Sequence, residues 1–255
     1  MSKLTQVSSS KCWGGLQKVY SHQSEQTKCQ MKFGVYFPPG LDPSSPPTTP
    51  TKRVPVVYFL SGLTCTEQNF IIKSGFQRFA AELGLIVVNS DTSPRGCNIP
   101  GEEDSWDFGT GAGFYVDAQT EPFAQHYRMH SYVTSELIEL VEGEFERFIR
   151  PGQRAVTGHS MGGHGALISA LRKPGLFKAV GAFAPISNPS QVPWGTKCLK
   201  GYLGEDKKEW ENWDATKLIS KYDGPDLHLR IDVVRVLTCV NDDTYPCTET
   251  RFKIC

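Results

Sequence analysis

Apolar and polar positions along this chain fall into two periods. Residues 31–39, "MKFGVYFPP", alternate with aromatic and β-branched side chains and predict a strand. The runs 54–62 "VPVVYFLSG", 84–91 "GLIVVNSD", 154–160 "RAVTGHS" and 179–186 "AVGAFAPI" are near-continuous apolar stretches, the pattern of strands buried on both faces. "LHLRIDVVRVL" at 227–237 is a sixth candidate strand. Between them lie helical patterns. Residues 131–149 place Val133, Leu137, Leu140, Val141, Phe145 and Phe148 on one stripe. Residues 66–84 form a second candidate helix, with Thr64 and Glu67 at capping-box spacing. The residues after Ser160 form a third, and 208–222, "KEWENWDATKLISKY", a fourth. Strands alternating with helices predict an α/β fold: a mostly parallel sheet flanked by helices, with its active site at the carboxyl ends of the strands.

Two segments break the pattern. Residues 38–55 are rich in Pro, Ser and Thr and read as a surface loop. Residues 92–128 hold several glycines together with Trp106, Phe108, Phe114 and Tyr115. So many aromatics argue for an ordered lid or wall over the site, against the alternative of a surface excursion.

Composition narrows the class. The 255 residues are 39% hydrophobic and 21% charged, enough for a sizeable core in one large domain. The formal net charge is zero, which removes the electrostatic reason to expect nucleic acid or an anionic membrane as partner. No apolar run reaches bilayer-spanning length, and the N-terminal residues "MSKLTQVSSSKCWGG" hold no secretory apolar stretch. The eight cysteines show no CxxC spacing, so reduced thiols and a cytoplasmic location are expected.

The chemistry centres on Gly158-His159-Ser160-Met161-Gly162, a G-x-S-x-G pattern. A predicted strand precedes it and a predicted helix follows, the context in which a serine sits on a strained turn with its hydroxyl presented as a nucleophile. Glycines two residues to either side relieve collisions with neighbouring backbone. An oxyanion hole needs two backbone N–H donors. Met161, directly after the serine, supplies one, and Leu63 in "SGLTC" is the natural second.

Several long motifs, "FLSGLTCTEQNF", "DTSPRGCNIPGE", "SWDFGTGAGFYVDA", "GHSMGGHGAL", "FAPISNP" and "PWG…GYLG", occur in the order in which they stand in the S-formylglutathione hydrolases, also called esterase D. The resemblance runs from about Lys11 to about Asp232. It implies an α/β-hydrolase fold, a cytosolic serine thioesterase and carboxylesterase, no metal or organic cofactor, and a homodimer. The implied reaction splits the small-molecule substrate S-formylglutathione into glutathione and formate, a step of formaldehyde removal. It places the nucleophile on Ser160 and the oxyanion donors on Leu63 and Met161. It also sets Cys65 beside the site and Trp194 near the acyl pocket. Read as residues alone, Cys65 is equally a small buried hydrophobe and Trp194 equally ordinary core.

The partners of the serine are the difficulty. The order expected of the triad is Ser, acid, His. Only His164 and His228 follow Ser160, one inside the elbow helix and one inside a predicted strand, and neither suits the base. The family's acid and base motifs are absent from this chain. Residues 1–232 are therefore expected to form an incomplete hydrolase domain, and residues 233–255 an unrelated, divergent tail. Asp242 and Asp243 are poor matches for the acid. The expected consequences are impaired catalysis, or a catalytically dead product, and poor solubility from an exposed sheet edge.

Overall fold

The computed structural model describes residues 3–46 and 52–233. Strands β1 (Thr5–Cys12), β2 (Gly15–Gln23), β3 (Gln30–Phe37) and β4 (Val54–Leu60) lead into helices α1 (Glu67–Lys73) and α2 (Phe76–Leu83). Strand β5 (Ile86–Ser90) is followed by the long wall segment and then by α3 (Met129–Ser131), a π turn (Tyr132–Glu136) and α4 (Leu137–Glu144). Then come β6 (Ile149–His159), α5 (Met161–Arg172), β7 (Ala179–Phe183), α6 (Pro193–Leu203), α7 (Lys207–Glu211), α8 (Ala215–Leu218) and β8 (His228–Asp232). The eight strands form one sheet in the order β1-β2-β3-β5-β4-β6-β7-β8. Pairing is antiparallel from β1 to β5 and parallel from β5 through β8. This is the expected α/β architecture, with an antiparallel meander added at one edge.

The parallel register builds the site. Leu60 pairs with Gly158, His159 with Phe183, and Phe183 with Asp232. The carboxyl ends of β4, β6, β7 and β8 therefore end in one row, and the segments leaving them meet above it.

Several elements differ from their pattern. The hairpin β1–β2 lies outside every predicted strand, because β1 is polar and exposed along nearly its whole length. It is closed by Trp13 and Gly14, both at positive φ (49° and 73°), the backbone of a tight hairpin turn. The helix expected over 66–84 is broken at Gly75, whose φ is +66°. Its capping box is formed by Thr66 and Asn69 rather than Thr64 and Glu67: Asn69 Oδ1 accepts from the Thr66 amide, and Thr66 Oγ1 accepts from Gln68 N. Thr64 instead sits at φ +65° with its N–H bonded to Gly111 O at 2.8 Å. Strand β4, read as buried on both faces, alternates between buried and half-buried. The stripe of 131–149 is buried as expected, from Val133 to Phe148, although the helix itself ends at Glu144. Residues 208–222 form α7, α8 and a 3₁₀ turn rather than one helix, and the helix over "PWGTKCLKGYL" was not anticipated. The residues of the 227–237 run beyond Val233, and nearly all of the divergent tail, lie outside the described residues.

Candidate active site

Ser160 stands at the end of β6, where the chain reverses into α5. Its φ and ψ are 57° and −117°, a conformation that costs a non-glycine residue roughly 1–3 kcal/mol. The surroundings hold it there. Ser160 N donates to Phe183 O at 2.9 Å, and Ser160 O accepts from His164 N at 3.1 Å. The glycines of the motif have no room for side chains. A Cβ on Gly158 would overlap Gly162 O, and one on Gly162 would overlap Leu60 O. A Cβ on Gly163 would lie 2.9 Å from Pro185 Cβ, so α5 packs closely on the segment after β7. Thr64, Phe114, Tyr115 and Ala184, all from the segments around Ser160, also have positive φ. Strain gathered at one point is typical of functional sites.

The two amides read as oxyanion donors are free to act. Among the described residues neither Leu63 N nor Met161 N donates to a protein acceptor. Met161 is the first residue of α5, where an amide has no intrahelical acceptor, and its side chain is fully buried. The Leu63 segment passes close to the serine: a Cβ on Gly62 would lie 3.4 Å from Ser160 Cβ. A cleft of about 570 Å³ opens at the serine, lined by Ser160, Ala184, Ile186, Asn188, Gln191 and Trp194 among others. Trp194 is therefore on the cleft wall, 37% exposed, with its ring 5.9 Å from that of Phe114. Cys65 is not on that wall. It is half-buried, burial pushes its thiol up, and its carbonyl accepts from Thr92 Oγ1 at 2.6 Å.

Residues 92–128 form a wall rather than a swinging lid. Tyr115 is fully buried, and its hydroxyl donates to Ser61 O at 2.9 Å, tying this segment to the turn that carries Leu63. The Tyr115 ring also packs where a Cβ on Gly165 would have to stand, which joins the wall to α5. Trp106, in contrast, is 69% exposed. Asp214 supports the cleft from behind a lining segment, and the sequence did not single it out. It is completely buried and accepts from Ser190 N (3.1 Å), Ser190 Oγ (2.6 Å) and Thr216 N (3.0 Å), clamping the segment from Asn188 to Val192, which lines the cleft, to α8. The partners are 24 residues apart, so no local pattern marks them.

All six histidines of the sequence are among the described residues. None hydrogen-bonds to Ser160 Oγ. His22 bonds to Tyr132 Oη at 3.1 Å and His126 to Thr27 O at 2.8 Å. His130 is buried against the Trp213 ring, and His228 is exposed on β8. His159 is exposed beside the serine, with its ring turned towards Gly62. His164 is fully buried below the elbow, beside the Ile186 and Phe114 backbone, and burial pushes its pKa down to about 4. It is a neutral packing residue, as its place in the helix suggested.

A serine on a strained strand-to-helix turn, two unpaired amides beside it and a cleft at the carboxyl ends of a parallel sheet define an α/β-hydrolase of the serine esterase class. The Esterase family model ("Putative esterase") matches residues 24–237. The chain is 58% identical over 229 residues to the S-formylglutathione hydrolase of Bos taurus, covering 90% of this chain and 78% of that protein. It is 46% identical over 245 residues to that of Arabidopsis thaliana, covering 96% and 81%. The solved S-formylglutathione hydrolase of Agrobacterium tumefaciens superposes with a TM-score of 0.78 at 39% identity, covering 89% of this chain and 90% of that one. The chain belongs to the S-formylglutathione hydrolase family.

Proposed function

We propose that this protein is a serine thioesterase acting on S-formylglutathione, with Ser160 as nucleophile and the Leu63 and Met161 amides as oxyanion donors. The observation that carries the reading is Ser160 itself, held at positive φ over a cleft beside two amides without protein acceptors. Ser160 Oγ attacks the thioester carbonyl, and the two amides hold the oxyanion. The C–S bond then breaks, glutathione leaves as a thiolate, and water releases formate from the formyl-serine. Trp194 and Ile186 on the cleft wall suit a small acyl group. Cys65 acts, on this reading, only by supporting the turn that carries Leu63.

Among the described residues none of the six histidines is placed as a base at Ser160. Loss of the histidine costs a serine protease on the order of 10⁶ in kcat, while the oxyanion hole and binding retain about 10³–10⁴ over water. A thioester suffers least from this, because its thiolate leaves without a proton and an alkoxide does not. The second reading is a protein that binds the substrate without turning it over.

The experiment is hydrolysis of S-formylglutathione and of a chromogenic acetate ester by the purified protein, beside Ser160→Ala. Slow turnover that prefers the thioester and vanishes in the variant supports the thioesterase. Equal rates for the two proteins leave only the binding reading. We further infer a single hydrolase domain over residues 1–232, with residues 233–255 outside it. Among the described residues no helix is long and apolar enough to cross a membrane, and Cys12, Cys29, Cys65, Cys97 and Cys198 are free thiols. Those thiols support the cytoplasmic placement. The homodimer rests on the family resemblance and is checked by light scattering.

A further inference from the structure

A second cavity is built where β3, the end of β5 and the start of α1 meet. Its volume is about 470 Å³, and Lys32, Thr66, Glu67, Asp91, Ser93 and Arg95 are on its walls. Glu67 opens α1 and is only 5% exposed. Its carboxylate is nearly without partners. Oε1 accepts from Gln68 Nε2 at 3.0 Å, while among the described residues Oε2 accepts nothing and no cation pairs with either oxygen. A carboxylate held this far from water is costly without a cation. The other acid of the cavity is satisfied: Asp91 accepts from Arg95 Nε at 2.8 Å, from Arg95 Nη2 at 3.1 Å and from Thr92 N at 2.7 Å. Burial raises the Asp91 carboxyl, and the nearby Glu67 charge raises it further. Arg95 Nη2 also donates to Cys65 O at 3.3 Å, which leaves Nη1 uncommitted. Lys32 is exposed, and among the described residues its ammonium has no protein partner.

We propose that this cavity takes the α-amino-acid head of the substrate's γ-glutamyl residue, with Glu67 accepting from its ammonium and Lys32 and Arg95 Nη1 donating to its carboxylate. The proposal rests on the reading of the protein as one that binds a glutathione thioester. It assigns the end of the ligand that the serine cleft does not hold. The charges match: one anionic and two cationic groups without full protein partners face a head group with one ammonium and one carboxylate. A simple carboxyl ester offers neither, so the cavity would distinguish the glutathione thioester from such esters.

The sheet sets the reach. Leu60 pairs with Gly158 on one side of β4, and Phe59 pairs with Asn89 on the other. The strand ends that carry Ser160 and Asp91 are therefore two strand spacings apart, roughly 10 Å. An extended S-acyl γ-glutamylcysteine spans a similar length, roughly 10 Å from acyl carbon to amino group. The same short segment serves both ends of the ligand. Leu63 N faces the oxyanion, and Glu67 follows it past a turn closed by Cys65 N donating to Gly62 O at 3.4 Å. Arg95 is tied to that turn through Cys65 O.

The test is calorimetric titration of the full chain with S-methylglutathione, which carries no thioester, and with its N-acetyl derivative, which has lost the ammonium. The wild-type protein should bind S-methylglutathione about 10-fold more tightly than the acetylated form, the size of one charge-assisted hydrogen bond. Glu67→Gln should bind the two alike. This variant keeps an Oε1 to accept from Gln68, and the Asn89 side chain bonds to the Glu67 backbone carbonyl, so the fold should be unchanged. Lys32→Ala, at an exposed position, should weaken both ligands and keep the preference. Equal affinities in the wild-type protein would overturn the proposal, and so would no binding of either ligand or a preference that survives Glu67→Gln. The wild-type comparison decides even if a variant does not fold. No bond breaks in this assay, so an unreactive Ser160 would overturn the thioesterase reading and leave the result standing.

Discussion

Ser160, Gly162 and His164 sit within five positions, and each is constrained differently. Ser160→Ala should lose labelling by a fluorophosphonate probe, read by mass spectrometry of the elbow peptide, while keeping the melting temperature within a few degrees. Labelling of another residue with Ser160 untouched would show that the strained turn does not activate this hydroxyl. Gly162→Ala should be far more damaging to the fold, because the new methyl meets the Leu60 and Ser61 backbone rather than a movable side chain. A loss of at least ~2–3 kcal/mol is expected in urea unfolding, the size of other backbone clashes and overpacked cores. His164 makes stability depend on pH. Its folded pKa is about 4, against an ordinary value of 6.5, through burial. The unfolded chain therefore binds the proton first. Stability is complete above pH 6.5 and falls as pH drops from 6.5 towards 4. The single-site linkage gives about 2 kcal/mol lost at pH 5. His130, also pushed down to about 4 by burial, adds in the same direction. Urea midpoints at pH 7 and pH 5 should show this, and His164→Asn should remove part of the difference. An unchanged midpoint in the wild-type protein would mean that His164 is not buried as described.

Elements were legible where their local pattern and their packing agree. The apolar run of β5, buried along its whole length, and the stripe into α4 are such cases. Strand β1 was not, because a polar edge strand is held by its hydrogen bonds to β2 and buries almost nothing of its own. The 66–84 helix was legible as helical but not as broken, since a glycine inside a helix pattern is tolerated until its φ is known. The cap shows the same limit. Thr64 and Thr66 both precede the helix, and only the positive φ of Thr64 removes it from the role. Thr66→Ala should cost about 1 kcal/mol in unfolding, whereas Thr64→Ala should cost no cap. Equal effects would return the cap to Thr64. The wall segment depends on one buried hydroxyl. Tyr115→Phe leaves Ser61 O without its donor, and should cost about 1–3 kcal/mol and slow acylation of Ser160 by loosening the turn that carries Leu63. Unchanged stability and acylation would show that the wall does not position the oxyanion turn.

Across the molecule, one flank differs from the rest. Strand β8 is the last of the sheet, and among the described residues nothing pairs with its outer edge. Beside it Leu167, Leu171, Ile219, Leu229 and Ile231 line an open apolar groove of about 530 Å³. Exposed strand edges and apolar grooves promote association. Concentration-dependent light scattering is expected, and Ile219→Lys, at a side chain already 42% exposed, should reduce it without lowering the melting temperature. Scattering that ignores the substitution would place the association elsewhere.

The alternation of strands and helices, the G-x-S-x-G pattern and the family are carried by short, contiguous stretches, so the linear chain was enough to read them. The elbow glycines are a case in point: the need for glycine is local, and the spacing alone reveals it. Contacts between distant segments are different in kind. The tie from Tyr115 to Ser61, the clamp of Asp214 on Ser190 and the burial that keeps His164 neutral each join residues separated along the chain or enclosed from several sides. No period or spacing encodes them, because they exist only once the strand ends have been brought into one row. The lack of a histidine at Ser160 Oγ belongs to both. The chain order made it expected, and among the described residues each histidine ring has its place elsewhere.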